Sequence, residues 1–164
     1  MRGLEIAYAT LPRGATHNEE GVVMDGEHTY ETWIGEIIHH MDLSGANSSM
    51  VYCQFLAGAI TGEYTARLLS AATGEAFTEQ DLVRIGERTW YLRRAFNLRL
   101  GVGREADTLP PRVVAQVAGS GAPLADTSRA LEEFFRQRQL DTHGIPDPAK
   151  IKELDLYPNM ELER

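Results

Sequence analysis

The chain has a single cysteine, Cys53, in 164 residues. That excludes an intrachain disulfide framework and any zinc site built from several of its own thiolates, so metal chemistry at Cys53 needs ligands from elsewhere. Basic residues are scarce. Lys and Arg number 16 against 24 Asp and Glu, with no run longer than Arg93-Arg94, which argues against a surface for nucleic-acid phosphates. Long apolar runs are absent too. The most apolar stretch, Val51 to Ile60, is short and broken by Gln54, and the N-terminus lacks the apolar core of a signal peptide, so a cytoplasmic protein without membrane contact is expected. No strand-like alternation and no internal repeat occurs. With 43% hydrophobic residues the chain can bury one ordinary core, and a single domain over 1–164 is expected.

What is present reads as helix. Thr78 and Asp81 form a capping box, after which Leu82, Ile85, Thr89, Leu92, Phe96 and Leu100 recur at steps of three and four. This predicts one long helix with an apolar stripe, stopped at Gly101. Upstream, Ile34, Ile37, Ile38 and Met41 predict a helix from about Tyr30 to Leu43. A second is predicted from Ser48 to Ala59, and a third from Thr61 to Thr73, with Tyr64, Leu68, Leu69 and Ala72 on one face and Gly74 ending it. Pro110-Pro111 and Gly119-Ser120-Gly121 then predict a strap over the bundle surface. Leu131, Phe134 and Phe135 rebuild a helix, and Asp147-Pro148 starts a short one with Ile151 and Leu154 on its buried side. The class is all-α.

Several segments carry a resemblance. Gly86-Glu87-Arg88, an aromatic at Trp90, the Phe96-Asn97 pair and Asp107-Thr108-Leu109-Pro110 follow one another in an order and spacing similar to the aldehyde:ferredoxin oxidoreductase family. Ala7-Tyr8-Ala9-Thr10, Arg13-Gly14 and His17 precede them, and Gly144-Ile145-Pro146 with Leu154 follows. The likeness covers most of the chain and is weakest from Asn18 to Asp42. It implies an irregular helical bundle like the C-terminal domain of a tungsten- or molybdenum-pterin, iron-sulfur enzyme that oxidises aldehydes to carboxylic acids with ferredoxin as acceptor. In that family an N-terminal domain holds the metal between two pterins, and helical domains close over it. The chain then reads as a split subunit, a truncated gene product or an expressed fragment, inactive alone. Its implied partners are the N-terminal portion or a separate subunit, ferredoxin and a small aldehyde. Tungsten against molybdenum stays open.

The resemblance also assigns residues. Cys53 is implied to give one of four thiolates to a 4Fe-4S cluster, soft sulfur being the donor that iron prefers there. The alternative is a buried small hydrophobe among Val51, Tyr52, Phe55 and Leu56. The family places an acidic residue five positions before that cysteine and a glycine two before it, beside the pterin; here those positions are Ser48 and Val51. With Tyr52 they form the stretch expected to contact tungstopterin or molybdopterin. A hydroxyl lacks two ionised acceptor oxygens, and a β-branched residue narrows the approach. Ser48 serves equally as the cap of the helix expected to start there. His17 is implied to lie near the metal and move a proton, for which its near-neutral pKa suits it; alone it would be a solvated loop residue. His39 and His40, adjacent on a helix, point about 100° apart and cannot share an ion. His28 and His143 have no partner at ligand spacing, and Glu87-Arg88 reads as structural. The competing reading, favoured by Ser48 and Val51, is a non-catalytic helical assembly or binding module derived from the same family.

Overall fold

A computed structural model describes residues 4–14, 16, 18, 29–51, 53–56, 59–111 and 127–156. Among them the chain is helical, and its one extended pairing is an isolated bridge between Leu140 and Pro146. The helices are α1 (Leu4–Thr10), α2 (Tyr30–Ser49), α3 (Gly62–Thr73), α4 (Glu79–Arg99), α5 (Thr127–Gln137) and α6 (Pro148–Glu153), with 3-10 turns at Gln54–Leu56 and Arg104–Ala106. The all-α expectation holds. No helix among the described residues is long and apolar enough to cross a membrane.

Local chemistry explains the ends. Side-chain oxygens of Thr29, Thr61 and Asp147 accept from the backbone N–H of Thr32, Tyr64 and Ala149, filling orphan donors of α2, α3 and α6. At α4 the expected capping box is complete: the Thr78 N–H donates to Asp81 Oδ2 at 2.7 Å and the Asp81 N–H to Thr78 Oγ1 at 3.3 Å. Gly74 and Gly101 take left-handed φ of 80° and 77° just past α3 and α4, where glycine has no Cβ to clash.

Two sequence expectations fail at α2. The helix does not stop at Leu43 but runs to Ser49, and among the described residues from Ser48 to Ala59 the only helical element after it is the 3-10 turn Gln54–Leu56. The run Ser44-Gly45-Ala46 looks like a break, yet its small side chains let α2 cross α4 closely. A Cβ on Gly45 would sit 3.5 Å from Gly86 Cα, and one on Gly86 would sit 1.6 Å from the Asp42 carbonyl oxygen. Ser48 therefore lies in the last turn of α2 and caps no following helix. Its carbonyl accepts from the N–H groups of Met50 and Val51.

α2 packs most extensively on α4; α5 covers α2, and α3 lies against α4. The main core joins Ile6, Trp33, Ile37, Trp90, Tyr91 and Phe134, and a smaller one joins Ala46, Ala66 and Leu82. Here the predicted α4 stripe divides. Leu82 is buried, but Leu92, Phe96 and Leu100 are 50%, 64% and 66% exposed, and the inward residues of the C-terminal half are Trp90, Tyr91, Arg94 and Ala95. In α3 the inward side is Thr65 and Ala66, while Tyr64, Leu68 and Ala72 face water.

Candidate functional site

Most of the family-like motif residues act as bolts. Gly86 permits the α2–α4 crossing just described. Glu87 pairs with Lys150 of α6 at 2.9 Å, and Arg88 donates to the carbonyls of Leu154 and Asp155, which supports the structural reading of that pair. Arg84 adds a bond to the Glu153 carbonyl at 2.7 Å. These cations meet the orphan carbonyls at the end of α6. Asn97 Nδ2 donates to the Pro12 carbonyl at 2.6 Å and ties the end of α1 to α4.

Two buried ion pairs were not legible in the sequence. Arg94 holds Asp107 through contacts of 2.8 Å to each carboxylate oxygen, and its Nε donates to the Gly144 carbonyl at 3.0 Å. Asp107 and Gly144 each sit in a resembling motif and Arg94 lies between Trp90 and the Phe96-Asn97 pair of another, and that was the available signal. Arg138, 1% exposed, grips both oxygens of Asp42 at 2.7 and 3.1 Å, with its guanidinium 4.6 Å from the Trp90 ring centroid. Burial pushes the Asp42 carboxyl up to about 6 despite Arg138. Burial likewise raises Asp107.

The residues expected to carry chemistry stand apart from these bolts. His17 and Tyr52 lie outside the described residues. Ser48 is half-buried at the end of α2. Val51 is 94% exposed and holds φ at 58°, a left-handed conformation that strains a β-branched residue. Glycine, which the resemblance implies at that position, adopts it without cost. Cys53 is exposed, and Phe55 beside it is 98% exposed. The buried-hydrophobe reading of Cys53 is thus overturned, because the chain leaves α2 through the Val51 turn and projects outward. An accessible thiol suits a ligand to a cluster completed from outside. Among the described residues no group of three or more His, Cys, Asp or Glu side chains could hold a metal ion.

The outer side of α4 meets residues of two neighbouring segments. Ser49, at the foot of the Cys53 loop, lies 3.5 Å from Thr89 hydroxyl to hydroxyl. Thr89, Leu92, Phe96 and Leu100 follow at helical steps along one face. Beside its middle an open groove of about 460 Å³ is lined by Pro12, Arg13, Leu92, Arg93, Phe96 and Asn97. Pro12 and Arg13 begin the turn from which the chain proceeds towards His17. Pro12 and Arg13 thus lie beside the Leu92–Phe96 part of this face, and Ser49, four residues before Cys53, meets it at Thr89. The histidines of α2 lie elsewhere: His39 Nε2 is 3.5 Å from Glu79, its ring stands edge-on to His40 at 5.8 Å, and burial followed by His39 lowers the His40 pKa.

The chain matches the family model described as aldehyde ferredoxin oxidoreductase, domains 2 and 3, over residues 1–156. It is 29% identical to a tungsten-containing aldehyde ferredoxin oxidoreductase of Pyrococcus furiosus and 27% to that of Pyrococcus abyssi. A third such enzyme, from Thermococcus kodakarensis, is 29% identical. Each match takes in 94% of this chain and 28% of the relative, so the chain spans little more than a quarter of the relatives' length.

Proposed function

Because this chain belongs to the aldehyde ferredoxin oxidoreductase family, within its domains 2 and 3, we propose that it is one helical domain of a tungsten-pterin enzyme oxidising aldehydes to carboxylic acids, with electrons passing to ferredoxin. The observation that carries this reading is the exposed thiol of Cys53, which stands outside the packed core just beyond α2 and is open to a cluster completed by another body. Alone the chain is inactive. The relatives named for tungsten are more than three times its length, so most of a pterin site would come from outside this chain.

The residues present fit such a partnership unevenly. Cys53 fits as one of four thiolates of a 4Fe-4S cluster, since its thiol is accessible and its loop adds no competing ligand. When bound, the cluster carries electrons from the pterin centre towards ferredoxin. His17 would accept or return a proton as water and aldehyde become carboxylic acid, a reaction that releases protons. Ser48 and Val51 fit a pterin poorly. One hydroxyl at the end of α2 cannot offer paired charged acceptors, and the β-branched Val51 narrows an approach that glycine would leave open. Molybdenum in place of tungsten is the remaining cofactor choice.

The test is iron and tungsten analysis of the chain purified with the pterin-carrying portion from the same genome. The wild type is expected to contain both, and Cys53→Ala to keep the complex while losing the cluster's iron and its electron-spin signal. Unchanged iron in that variant would sink the ligand role.

The poor pterin fit at Ser48 and Val51 supports a second reading, a non-catalytic assembly or binding module. It expects folding and partner binding without metal and indifference to Cys53→Ala. Partner binding impaired by that substitution counts against it.

A further inference from the structure

We infer that residues 141–156, the strap that carries α6, form a clasp that opens and closes on α4 as a unit while the crossing of α2 and α4 stays folded. The backbone of the strap closes largely on itself. Asp141 and Ile145, Asp147 and Ile151, and Lys150 and Leu154 are joined within it by main-chain bonds of 2.9–3.1 Å. The bonds that lead out of it run from the Asp147 N–H to the Gln139 carbonyl at 2.9 Å and from the Arg104 N–H to the His143 carbonyl at 3.3 Å. Undocking therefore breaks few main-chain bonds of the bundle. α6 itself has six residues, none of them buried, and a helix that short does not persist without a neighbour to hold it.

What holds the strap is a row of side chains from one helix. Arg84 and Arg88 donate to the carbonyls of Glu153, Leu154 and Asp155, Glu87 takes Lys150 Nζ at 2.9 Å, and Arg94 Nε meets the Gly144 carbonyl at 3.0 Å. Beneath this latch Leu154 and Leu156 enter the main core. The α2–α4 crossing is of another kind, a close approach of backbones at Gly86 with no long side chain to swing aside. Segments with few buried apolar anchors open at lower free energy than the core they cover, so the strap opens first and uncovers the seats of Leu154 and Leu156. Glu87, Arg88, Gly144 and Leu154 stand in segments that resemble the family, and two distant stretches of the sequence thus meet at the latch.

Hydrogen–deuterium exchange of the full chain, read peptide by peptide in a mass spectrometer, tests the clasp. Peptides from residues 141–156 are expected to exchange at least tenfold faster than those from residues 33–46 of α2. Arg88→Ala removes charge-assisted bonds to two carbonyls and is expected to speed the strap at least tenfold again. Arg84→Ala removes one such bond at an exposed position, where alanine leaves the fold intact, and should speed the strap by a smaller factor. Both variants are expected to leave residues 33–46 at the wild-type rate. Strap peptides that exchange in step with residues 33–46 would overturn the clasp, because strap and bundle would then open only together. So would a strap whose exchange neither substitution changes, or substitutions that speed both regions equally.

Discussion

Two faces of one helix behave oppositely. On its inner side α4 places Gly86, Trp90, Tyr91 and Arg94 against α2, α5 and the 144 turn, every one of them buried; on its outer side Leu92, Phe96 and Leu100 meet water. The inner side holds this chain together and carries most of the residues that resemble the family. The outer side lies open to water among the described residues. The comparison breaks if stability responds to both sides alike. Gly86→Val forces a branched side chain into the Asp42 carbonyl and is expected to cost more than about 3 kcal/mol, enough to unfold a marginal domain. Phe96→Ser on the outer side is expected to change stability by no more than about 0.5 kcal/mol. Urea titration of the isolated chain measures both. A large loss from Phe96→Ser would place that ring in a core contact of this chain.

The same contrast explains what could be read from sequence. Caps were legible because they depend on neighbours: Thr78 with Asp81, Asp147 with Pro148, glycine after α3 and α4. The orientation of α4 was not. Its C-terminal half carries two apolar faces, and the more regular of them, Leu92-Phe96-Leu100, is the uncovered one; periodicity reports an apolar face but not what covers it. The true inner face includes a glycine and a buried arginine, which no hydrophobic pattern would select. The end of α2 was misread because Gly45 answers Gly86, far away in sequence. Cys53 was legible as a candidate, but its outward position depends on the Val51 turn.

Buried charge sharpens the inner side further. Asp42 sits at about 6, raised by burial, so the folded chain holds that proton more tightly than the unfolded one. The Asp42 contribution to stability is therefore expected to be greatest below about pH 4 and to fall as pH rises towards 6, by roughly two pKa units at about 1.4 kcal/mol each. Asp107 is raised in the same direction and adds to that slope. Asp42→Asn removes the Asp42 share only. Urea midpoints at pH 4, 5 and 6 should thus decline more steeply for the wild type than for Asp42→Asn. Parallel declines would show that Arg138 keeps Asp42 ionised throughout.

The smallest effect probes the outer side at the turn before Cys53. Val51 holds a left-handed φ of 58° with its side chain almost wholly in water, so replacing it removes strain without removing packing. Relief of about 1–2 kcal/mol, offset by the extra freedom glycine gives the unfolded chain, about 0.4–1 kcal/mol, leaves a net gain near 0.5–1 kcal/mol for Val51→Gly. Val51→Ala keeps a Cβ and should gain less. Urea midpoints that order glycine above alanine above valine, at constant slope, would mean that the backbone keeps a glycine-suited path although the side chain has changed. The turn would then still present Cys53 outward as a cluster ligand requires, and the departure from the family at this position would bear on pterin contact alone. Equal midpoints for all three would remove strain as the reason for the turn and favour the non-catalytic reading.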